Sequence, residues 1–329
     1  MNEFRYVQAE DMGHALEVLS QPSAMALAGG TTLIDLMRLG TLRPGIVVDL
    51  RRLPWTEIEA SDQGLRLGAL ASNADVAAHP LVRRDWGLVS EALLSGASPQ
   101  VRNMASIAGN LLQRTRCAYF RDPEDACNRR APGSGCAART GPHREHAVLG
   151  ASSHCMATHP SDLAVALVAL DAELELVSTQ GTRQVALANF YALPDTTPDI
   201  ETVLAPGELI RAVWVPPVTG RTHYLKTRDR AAFQFALASA AVRLLLDRTK
   251  IREARIVLGG IATRPWRVPA AEALLVGQVP ELGLFEAAAR AALQDARPLT
   301  DNAYKIPLAQ ATLVRALQQV TGQEASNAR

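Results

Sequence analysis

The sequence has almost no net charge, no long apolar run, no internal repeat and very little cysteine, and each shortage excludes something. With 34 Lys and Arg against 33 Asp and Glu, the formal net charge is +1. No chain-wide field therefore draws nucleic acid or an anionic membrane, and partners must be argued locally. No segment approaches the roughly 18 apolar residues that a spanning helix needs. The N-terminus, MNEFRYVQAED, is acidic and polar and lacks the basic stretch and apolar run of an export signal. The expectation is a cytoplasmic chain, unless a partner carries it into the periplasm. No GxGxxG fingerprint occurs, so a dinucleotide domain of the Rossmann type is not indicated.

What is present suits a globular chain with a sizeable core: 48% of residues are hydrophobic and 20% charged. Length alone suggests about two domains of roughly 150 residues each. The four cysteines, Cys117, Cys127, Cys136 and Cys155, all fall between Arg114 and His159. Pro123, Pro132, Gly133, Gly135 and Pro142 punctuate that segment, so it reads as one long irregular loop. Ordering each backbone residue costs about 1 to 2 kcal/mol, and four thiolates on one metal centre would supply the constraint. Two disulfides are an alternative, but a chain of this length does not need them. A structural zinc site and a four-cysteine iron-sulfur cluster both favour short Cys-x-x-Cys spacings. The intervals here are nine, eight and eighteen intervening residues, which leaves zinc and iron-sulfur both open.

Periodicity places a short helix at His14 to Leu19 and a strand at Ala24 to Ala28, which runs into Gly29-Gly30-Thr31-Thr32. A helix at Leu33 to Leu39 and a buried strand at Ile46 to Leu50 follow. Such a turn either is a plain glycine turn or cradles a diphosphate on its free amides. A strand at Leu65 to Leu70 and helices at Asn73 to His79 and Arg84 to Leu94 lead to a second small-residue turn, Ser106-Ile107-Ala108-Gly109-Asn110. Two such turns point to a phosphate-bearing cofactor more than either does alone. Ser161 suits the N-cap of an amphipathic helix at Leu163 to Leu170, and Asp162 is either a first-turn charge or a ligand to a ribose or ribityl hydroxyl. A hairpin at Ala172 to Ala186 and a strand at Ile210 to Val215 end at Pro216-Pro217, where the domain boundary is placed. Beyond it come strands at His223 to Arg228 and Ala254 to Leu258. Amphipathic helices follow at Ala270 to Leu275, Leu284 to Ala296 and Leu308 to Val320, with a frayed tail at Gln323 to Arg329. Propensity leaves Phe235 to Leu246 open between helix and buried strand.

Four stretches occur in an order that resembles the FAD-binding medium subunits of the xanthine dehydrogenase and carbon monoxide dehydrogenase family. They are Ala28-Gly29-Gly30-Thr31-Thr32-Leu33, Gly68-Ala69-Leu70-Ala71-Ser72, Ala105-Ser106-Ile107-Ala108-Gly109-Asn110 and Pro160-Ser161-Asp162-Leu163. Leu204, Pro206, Glu208 and Leu209, and Lys226 in the strand Tyr224 to Arg228, look like the family's later FAD contacts. The resemblance covers nearly the whole chain. Most members pass from the Gly-Asn turn to the Pro-Ser-Asp helix within a few residues. Here residues 113–158 intervene, opening Gln113-Arg114-Thr115-Arg116-Cys117-Ala118-Tyr119-Phe120. That insert is similar to the one in FAD subunits of periplasmic aldehyde oxidoreductases, and more distantly to the β subunit of 4-hydroxybenzoyl-CoA reductase.

The resemblance implies an α+β fold: an FAD-binding domain of the vanillyl-alcohol-oxidase type over residues 1–217, built of two α/β subdomains, with the iron-sulfur insert at 113–158. A smaller α+β domain over 218–329, a three-stranded antiparallel sheet with helices, would follow, with Phe235 to Leu246 largely strand. Residues Leu27 to Ile34 (Leu27, Ala28, Gly29, Gly30, Thr31, Thr32, Leu33, Ile34) would hold the diphosphate. Ser106, Ile107, Ala108, Gly109 and Asn110 would hold the flavin side, Leu112 would flank one ring face, and Asp162, Leu204 and Lys226 would add contacts. Where xanthine dehydrogenases carry an aromatic beside the flavin, this chain has Gly96. Cys117, Cys127, Cys136 and Cys155 would bind a [4Fe-4S] cluster, with His143, His146, His154 and His159 around the ligands or at the surface. Seven arginines face four acids in the loop, either as a solvated basic loop or as a field that raises the cluster potential and meets an acidic partner.

The implied role is electron relay. A molybdenum-cofactor large subunit would oxidise an aldehyde, a [2Fe-2S] small subunit would pass electrons on, and an external acceptor would take them from FAD. The alternatives are a FAD subunit acting with an aromatic-thioester reductase or a xanthine dehydrogenase, and a zinc-stabilised scaffold without catalysis.

Overall fold

A computed structural model of the protein describes residues 1–323. The chain opens with β1 (Arg5–Gln8), a helix at Met12–Leu19, β2 (Ala24–Leu27), a helix at Leu33–Arg38 and β3 (Ile46–Asp49). β3 lies between the other two and pairs in parallel with both, as helical crossovers require. Asp11 starts the first helix by accepting the His14 N–H at 2.8 Å, and Ala15, Leu16, Val18 and Leu19 turn its apolar face inward.

The second subdomain is a five-stranded antiparallel sheet. Its strands are β4 (Ile58–Ser61), β5 (Gly64–Gly68), β6 (Glu173–Ser178), β7 (Gly181–Ala186) and β8 (Leu209–Val215), in the order β4-β5-β8-β6-β7. The segment expected as one helix from Arg84 to Leu94 is two, Pro80–Asp85 and Gly87–Ser95. Trp86 breaks it: the residue leaves helical geometry, its ring is buried, and its indole N–H donates to the Pro216 carbonyl at 3.0 Å. The helix expected to be amphipathic after Ser161 spans Asp162–Ala169 and is buried on every side. An all-apolar helix belongs between two layers, and this one packs on strands of the last sheet as well as on Gly87–Ser95.

That last sheet contains β9 (Arg221–Thr227), β10 (Ala238–Asp247), β11 (Lys250–Gly259) and the two-residue β12 (Trp266–Arg267), in the order β12-β11-β10-β9. It has three long strands as expected, and the short β12 edge adds a fourth. β10 resolves the Phe235 to Leu246 ambiguity in favour of strand. Ala241 faces the larger core around the 162–169 helix, while Ala240 and Val242 face a second core under Pro269–Leu275, Leu282–Ala292 and Lys305–Thr321. Both faces are covered, which is why the run is apolar without alternation. Small residues let the helix approach: a Cβ on Gly259 would come within 2.6 Å of Val165 Cγ2. The expected fraying of the tail lies, beyond Gln323, outside the described residues. Among those residues no helix is long and apolar enough to cross a membrane.

Residues 113–158 carry only a helical turn at Ala118–Arg121 and a 3-10 turn at Ala137–Arg139. The end of the insert is fastened to the last domain. Val148 N–H donates to the Ile261 carbonyl at 2.8 Å, and Arg297 N–H returns to the Val148 carbonyl at 2.7 Å. The buried Lys305 ammonium donates to the carbonyls of Glu145 and Gly260, both at 2.7 Å, and Val148 and Leu149 join the second core.

Candidate functional site

The two small-residue turns meet back to back, and their sequences follow from that contact. A Cβ on Gly29 would run into the Met104 carbonyl oxygen, and Gly30 sits at φ +73°, so the first turn needs both glycines for separate reasons. The Gly68 to Ser72 stretch is the other neighbour of the second turn. Asn73 N–H donates to the Ala105 carbonyl at 2.8 Å, while Ile107 and Ala108 N–H donate to the Ala71 and Ala69 carbonyls, both at 3.0 Å. Ser106 caps its short helix on Gly109 N–H, and Ser161 caps the 162–169 helix on Ala164 N–H at 3.0 Å. The Ser161 hydroxyl also donates to Asn110 Oδ1 at 2.7 Å, tying the two motifs together.

A cavity of about 410 Å³ opens along this junction. Ala28, Gly29, Gly30, Thr31, Thr32 and Leu33 of the first turn line it together with Ser106, Ala108, Gly109 and Leu112 of the second, and Leu204 is also in its wall. Among the described residues, the amides of Gly29, Gly30, Thr31 and Thr32 have no protein acceptor. A second cavity of about 310 Å³ shares Thr31, Thr32, Gly109 and Arg114 with the first and adds Asn110, Asp162 and Lys226. Three expected contacts line neither cavity. Leu27 packs with Met37 and Val47, Ile107 is fully buried in the main core, and the Ile34 side chain is exposed.

Asp162 and Lys226, expected as separate contacts, are partners. Lys226 Nζ donates to Asp162 Oδ2 at 2.7 Å and to the Ser95 carbonyl at 3.1 Å, while Tyr224 donates its hydroxyl to Asp162 Oδ1 at 2.6 Å. Burial, then the Asp162 charge, hold the Tyr224 hydroxyl well above its usual range, so it stays a donor. Gly96 lies beside the pair, and a Cβ there would stand 3.3 Å from Asp162 Oδ2. Phe233 and Phe235 line the same cavity from the loop before β10, and the Arg116 guanidinium lies 4.8 Å over the Phe235 ring. Sequence reading did not mark these aromatics, because the family position for one is at 96.

The four cysteines, none of them in a disulfide, line one small cavity between the insert's turns. Cys127 and Cys136 face each other across a one-residue antiparallel bridge. Cys117 stands immediately before the turn at Ala118–Arg121, and Cys136 immediately before the 3-10 turn at Ala137–Arg139. Ala157 N–H approaches the Cys155 sulfur at 3.5 Å. Burial pushes the Cys117 thiol up to about 12 and raises Cys136, so a ligand that takes thiolates must displace protons. As the side chains stand, no three His, Cys, Asp or Glu among the described residues form a group that could hold a metal ion.

Of the expected histidines, His146 places Nε2 3.1 Å from the Cys117 sulfur, and burial lowers it to about 4. His154 also lines the thiol cavity, His143 accepts Asp301 N–H at 3.1 Å, and His159 packs edge-on against Tyr191. Arg129, one of the seven loop arginines, is buried at the cavity wall and pairs with Glu201 at 2.9 Å.

The sequence profile described as the FAD binding domain in molybdopterin dehydrogenase matches residues 2–218, and that of the CO dehydrogenase flavoprotein C-terminal domain matches residues 223–320. The chain belongs to the FAD-binding subunits of the molybdenum hydroxylase family. It is 46% identical to the aldehyde oxidoreductase FAD-binding subunit PaoB of Escherichia coli, over 98% of this chain and 100% of that one. The glyceraldehyde dehydrogenase medium chain of Sulfolobus acidocaldarius is 28% identical, over 84% of this chain and 82% of its own. The same fold is seen in carbon monoxide dehydrogenase from Hydrogenophaga pseudoflava, with a TM-score of 0.78 and 24% identity over 98% and 99% of the two chains. As a family member the chain is an oxidoreductase subunit that takes FAD. The fit to this cofactor rests on the four unengaged turn amides, suited to a diphosphate, and on the two confluent cavities.

Proposed function

We propose that this chain is the FAD- and [4Fe-4S]-carrying electron-transfer subunit of a heterotrimeric molybdenum aldehyde oxidoreductase. One observation carries the reading: four free thiols from separate turns of one insert line a common cavity. The Ala157 N–H directed at the Cys155 sulfur, and the buried Arg129 guanidinium in the cavity wall, suit an anionic group held on thiolates. Identity over the full length of an aldehyde oxidoreductase FAD-binding subunit supports the aldehyde as substrate class.

Bound FAD stores two electrons and a bound cluster passes them singly. The chain's own part is to hold and to bias. The amides of Gly29 to Thr32 would hold the diphosphate, and Ser106, Ala108, Gly109, Asn110, Leu112 and Leu204 would line the rest of the cofactor's cleft. The neutral Asp162–Lys226 pair would present a fixed dipole to the cofactor from the wall of the second cavity. The substrate is oxidised on a molybdenum-cofactor large subunit, electrons arrive through a [2Fe-2S] small subunit, and an external acceptor takes them. The complex works in the periplasm if its partner carries an export signal, and otherwise in the cytoplasm.

The test is metal and sulfide analysis of the purified complex with its visible spectrum. The expected result is flavin bands over a broad iron-sulfur shoulder and four iron atoms on this chain, lost in Cys117→Ser, Cys127→Ser, Cys136→Ser or Cys155→Ser. A chain with one zinc and no iron would be a zinc-stabilised module.

A further inference from the structure

Two arginines that serve different cavities share one carboxylate. Arg129 lies in the wall of the thiol cavity beside Cys155, its side chain only 8% exposed, and its Nη1 meets Glu201 Oε2 at 2.9 Å. Arg114 lies in the walls of both flavin cavities, and its Nε donates to Glu201 Oε1 at 2.6 Å. Each oxygen of Glu201 thus belongs to a different guanidinium.

The arrangement is rigid. Arg114 stacks 4.6 Å over the ring of Phe120, which is fully buried against Leu36 and Cys127. Glu201 is fixed by its backbone: its carbonyl accepts the Ala192 N–H at 3.0 Å, and the neighbouring Tyr191 and Thr202 form a bridge. Tyr191 in turn donates its hydroxyl to the Leu111 carbonyl at 3.0 Å, at the end of the second glycine turn. Arg129 Nε is buried with no partner among the described residues. Burying a guanidinium with one donor unmet works against stability, so its location calls for a use other than packing.

We infer that Glu201 is a positioning residue: it joins Arg129 and Arg114 into one charge bridge that biases the reduction potential at the thiol cavity and flavin retention in the cleft. This rests on the iron-sulfur reading above. Two guanidinium charges against one carboxylate leave the bridge net positive. That favours the more negative, reduced state of a centre held beside it, and a phosphate-bearing cofactor in the cleft.

The experiment is a redox titration of the purified complex, followed by electron paramagnetic resonance and visible absorption, with iron and flavin content measured in parallel. Arg129→Gln removes a positive charge and shifts the potential of the thiol-bound centre downward. Glu201→Gln removes the opposing charge and shifts it upward, and Arg129→Lys stays near the wild type. Arg114→Gln weakens flavin retention about tenfold, the loss of one charge-assisted contact. A purely structural role predicts lost iron or lower stability without shifts of opposite sign. If both charge variants keep iron and flavin and their potentials do not move, or move the same way, the inference is wrong. Should Arg129→Gln fail to hold iron, the comparison of Glu201→Gln with Glu201→Asp decides on the same criterion. Wild-type complex without iron on this chain would instead overturn the function reading, and with it the basis of the inference.

Discussion

Asp162 and Lys226, 64 residues apart, form an ion pair of 2.7 Å with side chains 9% and 3% exposed. Breaking a buried pair from one side leaves a charge without its counterion. Asp162→Asn or Lys226→Met alone therefore costs about 3 kcal/mol, whereas the double variant costs much less than the sum. A double-mutant cycle in thermal midpoint, with flavin content measured in parallel, checks this. Additive losses would mean that the two side chains act independently.

At the first turn, Gly29→Ala drives a Cβ into the Met104 carbonyl and separates the two turns, while Gly30→Ala places a side chain at φ +73°. The second change costs about 1 to 2 kcal/mol of backbone strain. The first is the more damaging, because backbone stands in the way. The expected order of flavin-to-protein ratio after purification is wild type, then Gly30→Ala, then Gly29→Ala, and the reverse order for the two variants counts against the packing account.

Gly96 has extended backbone that any residue adopts, so only its surroundings restrict it. Gly96→Ala brings a Cβ to 3.3 Å from an Asp162 oxygen that Lys226 and Tyr224 already hold. The expected result is a thermal midpoint lowered by about 1 kcal/mol equivalent, and a changed flavin absorption band in Gly96→Phe. An unchanged band would place the flavin ring away from this cavity.

His223 gives a pH signature. Its bond to Glu91, 3.4 Å away, raises its pKa above 6.5 against the opposing effect of burial. The folded state holds that proton more tightly than the unfolded chain does. The contribution to stability is thus complete below about pH 6.5 and disappears as pH rises through the raised folded value. Thermal midpoints of wild type and His223→Gln should differ most at pH 6 and converge by pH 9, and a constant difference argues against the pair.

Local chemistry in the sequence marked the glycine turns, the serine caps and the gathering of cysteines, and the structure brings these together. β10 was not legible from propensity: Ala-rich sequence favours helix, and only coverage on both faces by elements distant in sequence makes it a strand. Trp86 was hidden for a related reason, since the break depends on the Pro216 carbonyl 130 residues away. Charge pairs were the least legible. Nothing near Asp162 announces Lys226, and Glu201 sits in a polar stretch that reads as a plain connection until Arg114 and Arg129 are placed on either side of it.

The insert's final residues supply two side chains, Val148 and Leu149, to the interior of the C-terminal unit, and Lys305 clasps the Glu145 carbonyl. Cutting the gene at the linker near residue 217 would therefore tear out a plug. The C-terminal fragment would be left with an open wound in its apolar interior, and the N-terminal fragment would carry an anchor with nowhere to seat, so neither piece is an independent building block for chimeras.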